Sequence, residues 1–283
     1  MNALKRMIPN LFTAGNLVGG ILAIIFTLTG KIHLAPYCIF ASAIFDFLDG
    51  FMARLLKVPS ELGKQLDSLA DMVTFGVAPG IMVYELFRIR FMSITFEGSL
   101  QKGFLDYLAV GTSHMDTGIW RDPRIQGAWD LAYLPYLGLI IPVFALFRLA
   151  KFNLDTRQTN SFIGLPTPAM TLFFATLPLL ILSDAAKTSD FYFHIVGNII
   201  LNPWFLSISS LFMSILMVVE LPLFALKFKH FKWKGNEIRF IFLTISAVLL
   251  ATLFFWAIPL IIILYVLLSI INNQFVKAKT NEI

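Results

Sequence analysis

Several uninterrupted apolar runs in this chain reach the ~18–20 residues needed to cross a bilayer, and they decide the fold class before any motif is considered. Only 14% of the 283 residues are Asp, Glu, Lys or Arg, well below the ~25% of an ordinary soluble domain. Spans are expected at roughly 11–30, 34–56, 65–87, 131–152, 167–183, 204–226, 239–257 and 259–274. The last two, divided at Ile258-Pro259, read either as a very tight hairpin or as one long bent helix. The expected fold is all-α: a polytopic membrane helix bundle with about eight transmembrane helices, forming a single domain over 1–283. Two polar stretches, 88–130 and 184–203, are expected as external loops. No internal repeat is visible.

Charge sets the expected orientation. With the N-terminus inside, eight spans leave 15 of the 22 basic residues on the cytoplasmic side and 7 outside, which is the positive-inside bias. Both termini are therefore expected in the cytoplasm of a multi-pass cell-membrane protein. The basic stretch 227–234 (KFKHFKWK) falls inside, where it anchors topology or rests on anionic headgroups. The net charge of +5 sits at span ends rather than in a patch suited to nucleic acid, so no nucleic-acid partner is expected. The start, MNALKRMIPN, has the Lys-Arg pair of a signal peptide, but Lys31 follows the apolar run instead of a small-residue cleavage site, so cleavage is not expected. Cys38 stands alone, excluding an intrachain disulfide and a multi-cysteine metal site. The histidines lack metal-ligand spacing.

Ionised carboxylates inside a span cost roughly 2.5–3.5 kcal/mol each at its centre. Four nevertheless occur within 26 residues: Asp46, Asp49, Asp67 and Asp71. Asp46 and Asp49 are three apart and share a helix face with Gly50 and Ala53; Gly63, Asp67 and Asp71 are four apart and form one stripe. Pro59-Ser60 lies between the two helices, with Ser60 placed as an N-cap and Glu61 in the first turn. Two antiparallel helices would then face each other with two carboxylates apiece. Such a cluster takes up protons or binds a divalent cation, and an all-oxygen site suits Mg²⁺ or Mn²⁺ with coordination left over for a substrate phosphate.

The fixed positions Asp46, Asp49, Gly50, Ala53, Arg54, Gly63, Asp67 and Asp71, with eight residues between Arg54 and Gly63, resemble the signature of the CDP-alcohol phosphatidyltransferases at every place. That resemblance implies transfer of a phosphatidyl or similar group from a CDP-linked donor to an alcohol, with release of CMP. It implies metal ligation by Asp46, Asp49, Asp67 and Asp71, with two divalent ions, and a role for Asp71 as general base. It further implies a CDP site at Gly50, Ala53 and Gly63, where small residues admit the nucleotide, with Arg54 pairing to phosphate. Catalytic helices are expected within 7–170.

Flanking segments narrow the acceptor. Ile8-Pro9-Asn10, Thr74-Phe75-Gly76, Arg148-Leu-Ala-Lys151-Phe-Asn153 and Gly164-Leu-Pro166-Thr167-Pro168 resemble the membrane-embedded phosphatidylserine synthases within the family. CDP-diacylglycerol and L-serine are the substrates this implies. Lys151 stands where that branch carries arginine, so the charge is kept but the planar fork is lost. Arg148 and Lys151 are the candidates for the serine carboxylate; the alternative is that they only anchor topology. Asn10, Thr13 and Asn16 recur every third residue and are placed at the nucleotide or diphosphate, or else in capping by Asn10 and helix packing. Pro79, Pro166 and Pro168 are expected to bend or end helices. Gly15, Gly19 and Gly20 would allow the close helix packing of a homodimer. Rival readings are another acceptor (glycerol 3-phosphate or inositol phosphate), an archaeal-type lipid donor, or a divalent-cation transporter. A transporter would need further acids along a path, and spans four to eight offer only Glu220, near the end of span six.

Overall fold

The computed structural model describes residues 2–95, 133–154, 161–182, 195–224, 233 and 236–281. Among these, the α-helices are α1 (Asn2–Leu28), α2 (Ala35–Leu55), α3 (Glu61–Asp71), α4 (Ala78–Thr95), α5 (Ile140–Leu154), α6 (Thr167–Leu182), α7 (Pro203–Val218), α8 (Glu237–Leu253) and α9 (Ala257–Asn281). The all-α expectation holds, with one addition. Ser161–Ile163 (β1) and Pro222–Phe224 (β2) pair antiparallel as a short ribbon, Phe162 opposite Leu223.

Four stretches are long and apolar enough to cross a membrane: Met7–Leu28, Glu61–Arg90, Leu134–Leu154 and Glu237–Gln274. Thr167–Ile181 and Pro203–Val218 are shorter apolar helices. Large apolar side chains such as Val18, Leu22, Leu146, Ile208 and Leu267 are exposed along them. In water, patches of that extent would drive association; in a bilayer they face lipid. The integral-membrane reading therefore stands on structure as well as composition.

The rod Glu61–Arg90 is the central one, with 67% of its apolar window buried against 22–28% for the other three. Its core residues Val83, Leu86 and Phe87 pack with Ile141, Ala145, Met170, Phe174 and Leu206 from α5, α6 and α7. A π-helical turn, Met72–Val77, joins α3 to α4. Close van der Waals packing of these side chains, the term that joins helices within a bilayer, holds α4 as the fixed element on which α3 is carried. On the other side α1 lies against α2, α3 and α4. The three glycines of α1 are used here: a Cβ on Gly15 would meet the Phe45 ring at 3.3 Å, and Cβ atoms on Gly19 and Gly20 would fall on Ser42 and Thr74. They serve contacts within the chain rather than the partner face expected of them.

Several boundaries differ from the sequence reading, each for a local reason. Helix α1 begins at Asn2 and runs through Pro9, so Asn10 is inside the helix and caps nothing. The sixth span ends at Val218, not 226, because Val219 turns extended (ψ 137°) and Pro222 enters the ribbon. The last two spans are separate helices, divided not at Pro259 but at a 3₁₀ turn, Phe254–Trp256, where Phe254 has φ 49°. Pro259 is instead the third residue of α9, a first-turn position that needs no N–H donor. The 88–130 loop was placed too early, since α4 continues to Thr95; the rest of it, residues 184–194 of the second loop and nearly all of the 227–234 stretch lie outside the described residues.

Candidate active site

Ser60 sets the start of α3. Its backbone is extended (φ −143°, ψ 146°) and its Oγ accepts the Gly63 N–H at 3.0 Å, satisfying one of the open donors of the first turn. That start puts Asp67 and Asp71 on the face towards α1 and α2. On α2, Asp46 and Asp49 face back. One carboxylate oxygen from each of Asp46, Asp49 and Asp67 lies within 4.8 Å of the other two. Asp46 also contacts the Asp71 carboxyl.

Each acid is held by α1 or left open. Thr13 Oγ1 donates to Asp49 Oδ2 at 2.7 Å, and Asn16 Nδ2 donates to Asp71 Oδ1 at 3.0 Å. Asp49 and Asp71 are 6% and 9% exposed, so neither is a helix-end acid reaching into water. Asp67 Oδ1 is buried and has no hydrogen-bond partner. An orphaned carboxylate oxygen beside two further carboxylates is costly, because like charges repel strongly out of water. A cation resolves both costs, and the all-oxygen donor set fits a hard divalent ion.

A pocket of about 240 Å³ opens beside the acids, lined by Asn10, Thr13, Asp49, Gly50, Ala53, Arg54, Ser60, Gly63, Lys64 and Asp67 among others. The small residues form its walls. A Cβ on Gly50 would point at the Arg54 guanidinium, 3.7 Å from Nη1, with no other heavy atom nearby. A Cβ on Gly63 would lie 3.0 Å from Ser60 Oγ and 3.5 Å from Asn10 Oδ1. The structure thus brings Asn10, Thr13, Gly50, Ala53, Arg54 and Gly63 together around one cavity.

Three of the expected site residues are elsewhere. Asn16 is fully buried behind Asp71 and does not line the pocket. Arg148, on α5, is 7% exposed; its Nε donates to the Leu165 carbonyl at 2.7 Å, Phe152 lies against the guanidinium, and its charge acts on Asp71. Lys151 forms an ion pair with Glu220 at 2.8 Å, both side chains largely in solvent. Sequence reasoning missed Lys64, a pocket residue whose Nζ donates to the Asn153 carbonyl at 3.0 Å. Its place next to Gly63 in the signature was the available signal. It also missed Ser42 and Thr74, whose hydroxyls donate to the Asn16 carbonyl at 3.1 and 3.0 Å; contacts between distant helices leave no mark in spacing.

Comparison with known proteins agrees with this geometry. The model of the CDP-alcohol phosphatidyltransferase family matches residues 6–98, which contain all four aspartates. A CDP-diacylglycerol–serine O-phosphatidyltransferase of Bacillus subtilis is 31% identical over 234 residues, covering 81% of this chain and 94% of that protein. The enzyme of the same name from Helicobacter pylori is 28% identical over 277 residues, covering 96% and 93%. An archaetidylserine synthase from Methanothermobacter thermautotrophicus is 26% identical over 175 residues, 61% of this chain and 58% of that one. Signature, site and near full-length similarity coincide, and the chain belongs to the CDP-alcohol phosphatidyltransferase family.

Proposed function

We propose that this chain transfers the phosphatidyl group of CDP-diacylglycerol to L-serine, giving phosphatidylserine and CMP. The observation that carries this reading is the convergence of the aspartates with a small-residue pocket bearing Arg54, in a chain whose near full-length relatives are named for transfer to serine. Asp46, Asp49 and Asp67 would hold Mg²⁺ or Mn²⁺, and Asp71 would complete a site for a second ion. Bound there, the metal supplies charge neutralisation and Lewis-acid polarisation at the diphosphate. Gly50, Ala53 and Gly63 let the cytidine lie close to the α2 and α3 backbones, with Asn10 and Thr13 beside it. Arg54 and Lys64 offer cationic donors to the diphosphate oxygens.

Asp71 accepts the proton of the serine hydroxyl as its oxygen bonds to the phosphatidyl phosphorus and the bond to the CMP oxygen breaks. A single displacement suffices. Arg148 stands close enough to Asp71 for its charge to be felt there, which suits a partner for the serine carboxylate; Lys151 sits further out, at the rim. The acceptor and donor ends of the site therefore use different helices, α5 for serine and α2–α3 for the nucleotide.

The chain acts as one membrane domain of eight passes, with both termini and the active site on the cytoplasmic face, and a homodimer is compatible with the family. Contacts support a common end: Asn10 lies near Gly63, Lys64 reaches Asn153, Lys151 pairs with Glu220, and Asn273 Nδ2 donates to the Pro222 carbonyl. A cation path is disfavoured among the described residues. Glu85 is buried but paired with Arg88 at 2.8 Å, and Glu220 lies past the end of α7. The test is CMP release by the purified chain in detergent with CDP-diacylglycerol, Mg²⁺ or Mn²⁺, and serine, glycerol 3-phosphate or inositol phosphate in turn. Serine-dependent release is expected. Release with a different alcohol alone would move the acceptor assignment, and none with any alcohol would remove the enzyme reading.

A further inference from the structure

We propose that Asn16 is a positioning residue that fixes the rotation of the Asp71 carboxyl group, rather than part of the nucleotide site. The proposal rests on the role given above to Asp71 as proton acceptor. Asn16 has no exposed surface and does not line the pocket, so a direct contact with the cytidine or diphosphate has no geometric support. Its amide instead points at Asp71, Nδ2 to Oδ1 at 3.0 Å. Reversing the amide would set its carbonyl oxygen against a carboxylate, so the assignment of nitrogen and oxygen follows from the neighbour.

Asn16 is itself clamped from two directions. Its main-chain carbonyl accepts the Ser42 hydroxyl from α2 at 3.1 Å and the Thr74 hydroxyl from the π turn at 3.0 Å. Gly19 and Gly20, one turn further along α1, bring that helix close enough for these bonds, since any side chain there would collide with the same Ser42 and Thr74. Asn16 is thus referenced to α2 and to the π turn that directly follows Asp71. With Oδ1 held by Asn16, Asp71 keeps its other oxygen for the acids and substrate in front of it.

The residue also carries a cost that packing alone does not explain. Asn16 Oδ1 is buried with no hydrogen-bond partner, a penalty of roughly 1–3 kcal/mol. Leucine, with the same branching and side-chain heavy-atom count, would carry no such unsatisfied atom. A buried polar group that breaks the local rule while contacting a reactive carboxyl is where a functional constraint is expected.

The experiment compares Asn16→Leu, which keeps the branching and heavy-atom count and removes the donor, with Asn16→His, whose Nδ1–H stands near the place of the amide N–H. Rates of CMP release, KM for each substrate, thermal midpoint in detergent and Mn²⁺ affinity by electron paramagnetic resonance are measured for both. Asn16→Leu is expected to lower kcat by about 10- to 100-fold, the usual cost of losing a group that orients a site residue. Both KM values, and the affinity for the Mn²⁺ ion assigned to Asp46, Asp49 and Asp67, should stay within about threefold of the native chain, because those three acids and the pocket lining are untouched. Asn16→His should recover most of the lost rate. A kcat for Asn16→Leu within twofold of native would overturn the proposal. So would equal loss of rate and thermal midpoint in both variants, which marks a packing residue, or a loss of affinity for the ion assigned to Asp46, Asp49 and Asp67 that matches the loss of rate. The comparison is made with whichever alcohol the native chain uses. A wrong acceptor therefore shows in the native assay, and a wrong role for Asp71 shows as retained activity in Asp71→Asn, separately from a failure here.

Discussion

Replacing Arg148 by alanine should separate the two substrates kinetically. Arg148 is 7% exposed and anchored through Nε to the Leu165 carbonyl at 2.7 Å. If its remaining N–H groups receive the serine carboxylate, the variant loses a charge-assisted hydrogen bond of roughly 1.5–3 kcal/mol. At ~1.4 kcal/mol per tenfold, the KM for serine should rise about 10- to 150-fold. The KM for CDP-diacylglycerol should stay within about twofold, because Arg148 is not among the residues lining the nucleotide pocket. A second effect is expected on stability. The Leu165 carbonyl is left without its donor in a buried setting, at a cost of about 1–3 kcal/mol, so the thermal midpoint falls as well. Arg148→Lys keeps the charge without the fork and should lie between the two. The assay is initial-rate CMP release with each substrate varied at saturation of the other, alongside a melting curve in detergent. Equal increases in both KM values, or a fall in the melting temperature with serine KM unchanged, would refute the serine-carboxylate assignment.

Three further outcomes are expected. Asp67→Asn should lower activity by on the order of 10²–10³-fold and weaken Mn²⁺ binding measured by electron paramagnetic resonance; unchanged binding would remove Asp67 from the ligand set. Gly63→Ala places a Cβ 3.0 Å from Ser60 Oγ and inside the pocket wall, so KM for CDP-diacylglycerol should rise several-fold, with up to about 1 kcal/mol lost from the cap, while KM for serine stays put. Glu220→Gln breaks an ion pair whose side chains are 41% and 59% exposed, so stability should change by less than about 1 kcal/mol and turnover by less than twofold; a large loss of rate would assign Lys151 a role at the site.

Much of the site was legible because it is local. Asp46, Asp49, Gly50, Ala53 and Arg54 lie within about two and a half turns of one helix, and Gly63, Asp67 and Asp71 within the same length of the next, so helical spacing alone puts each set on one surface. The Ser60 cap was visible for the same reason. The illegible parts depend on tertiary contacts. Asn10, Thr13 and Asn16 have the same spacing, yet the structure gives them different neighbours: Asn10 and Thr13 reach the pocket and Asn16 lies behind Asp71. Lys151 looked equivalent to Arg148, but it lies nearly a turn further along α5, where it pairs with Glu220 in solvent. The β1–β2 ribbon was hidden inside an apolar run, since Pro222-Leu223-Phe224 reads as the end of a span until its partner at 161–163 is known. The glycines of α1 show the same limit. Sequence shows that a close approach is allowed, but not whether the neighbour is another copy or the next helix.

The π turn at Met72–Val77 gives the site a phase that is counted from the protein core. Thr171 Oγ1 bonds the Phe75 carbonyl within this turn at 2.8 Å, and Thr74 is tied to α1. Helix α4 is locked by its buried side chains, so any change in residue number between Asp71 and Ala78 has to be absorbed by α3. Deleting one residue there would let the rod close into a continuous α-helix and swing α3 by about 100° around its axis. Asp67 and Asp71 would turn away from α2, and Ser60 and Gly63 would leave the pocket with them. The eight-position signature would still be complete in such a chain, every residue and interval intact, while its two halves no longer faced each other. For this fold the spacing from Asp71 to the first residue of α4 belongs to the signature as much as the aspartates do.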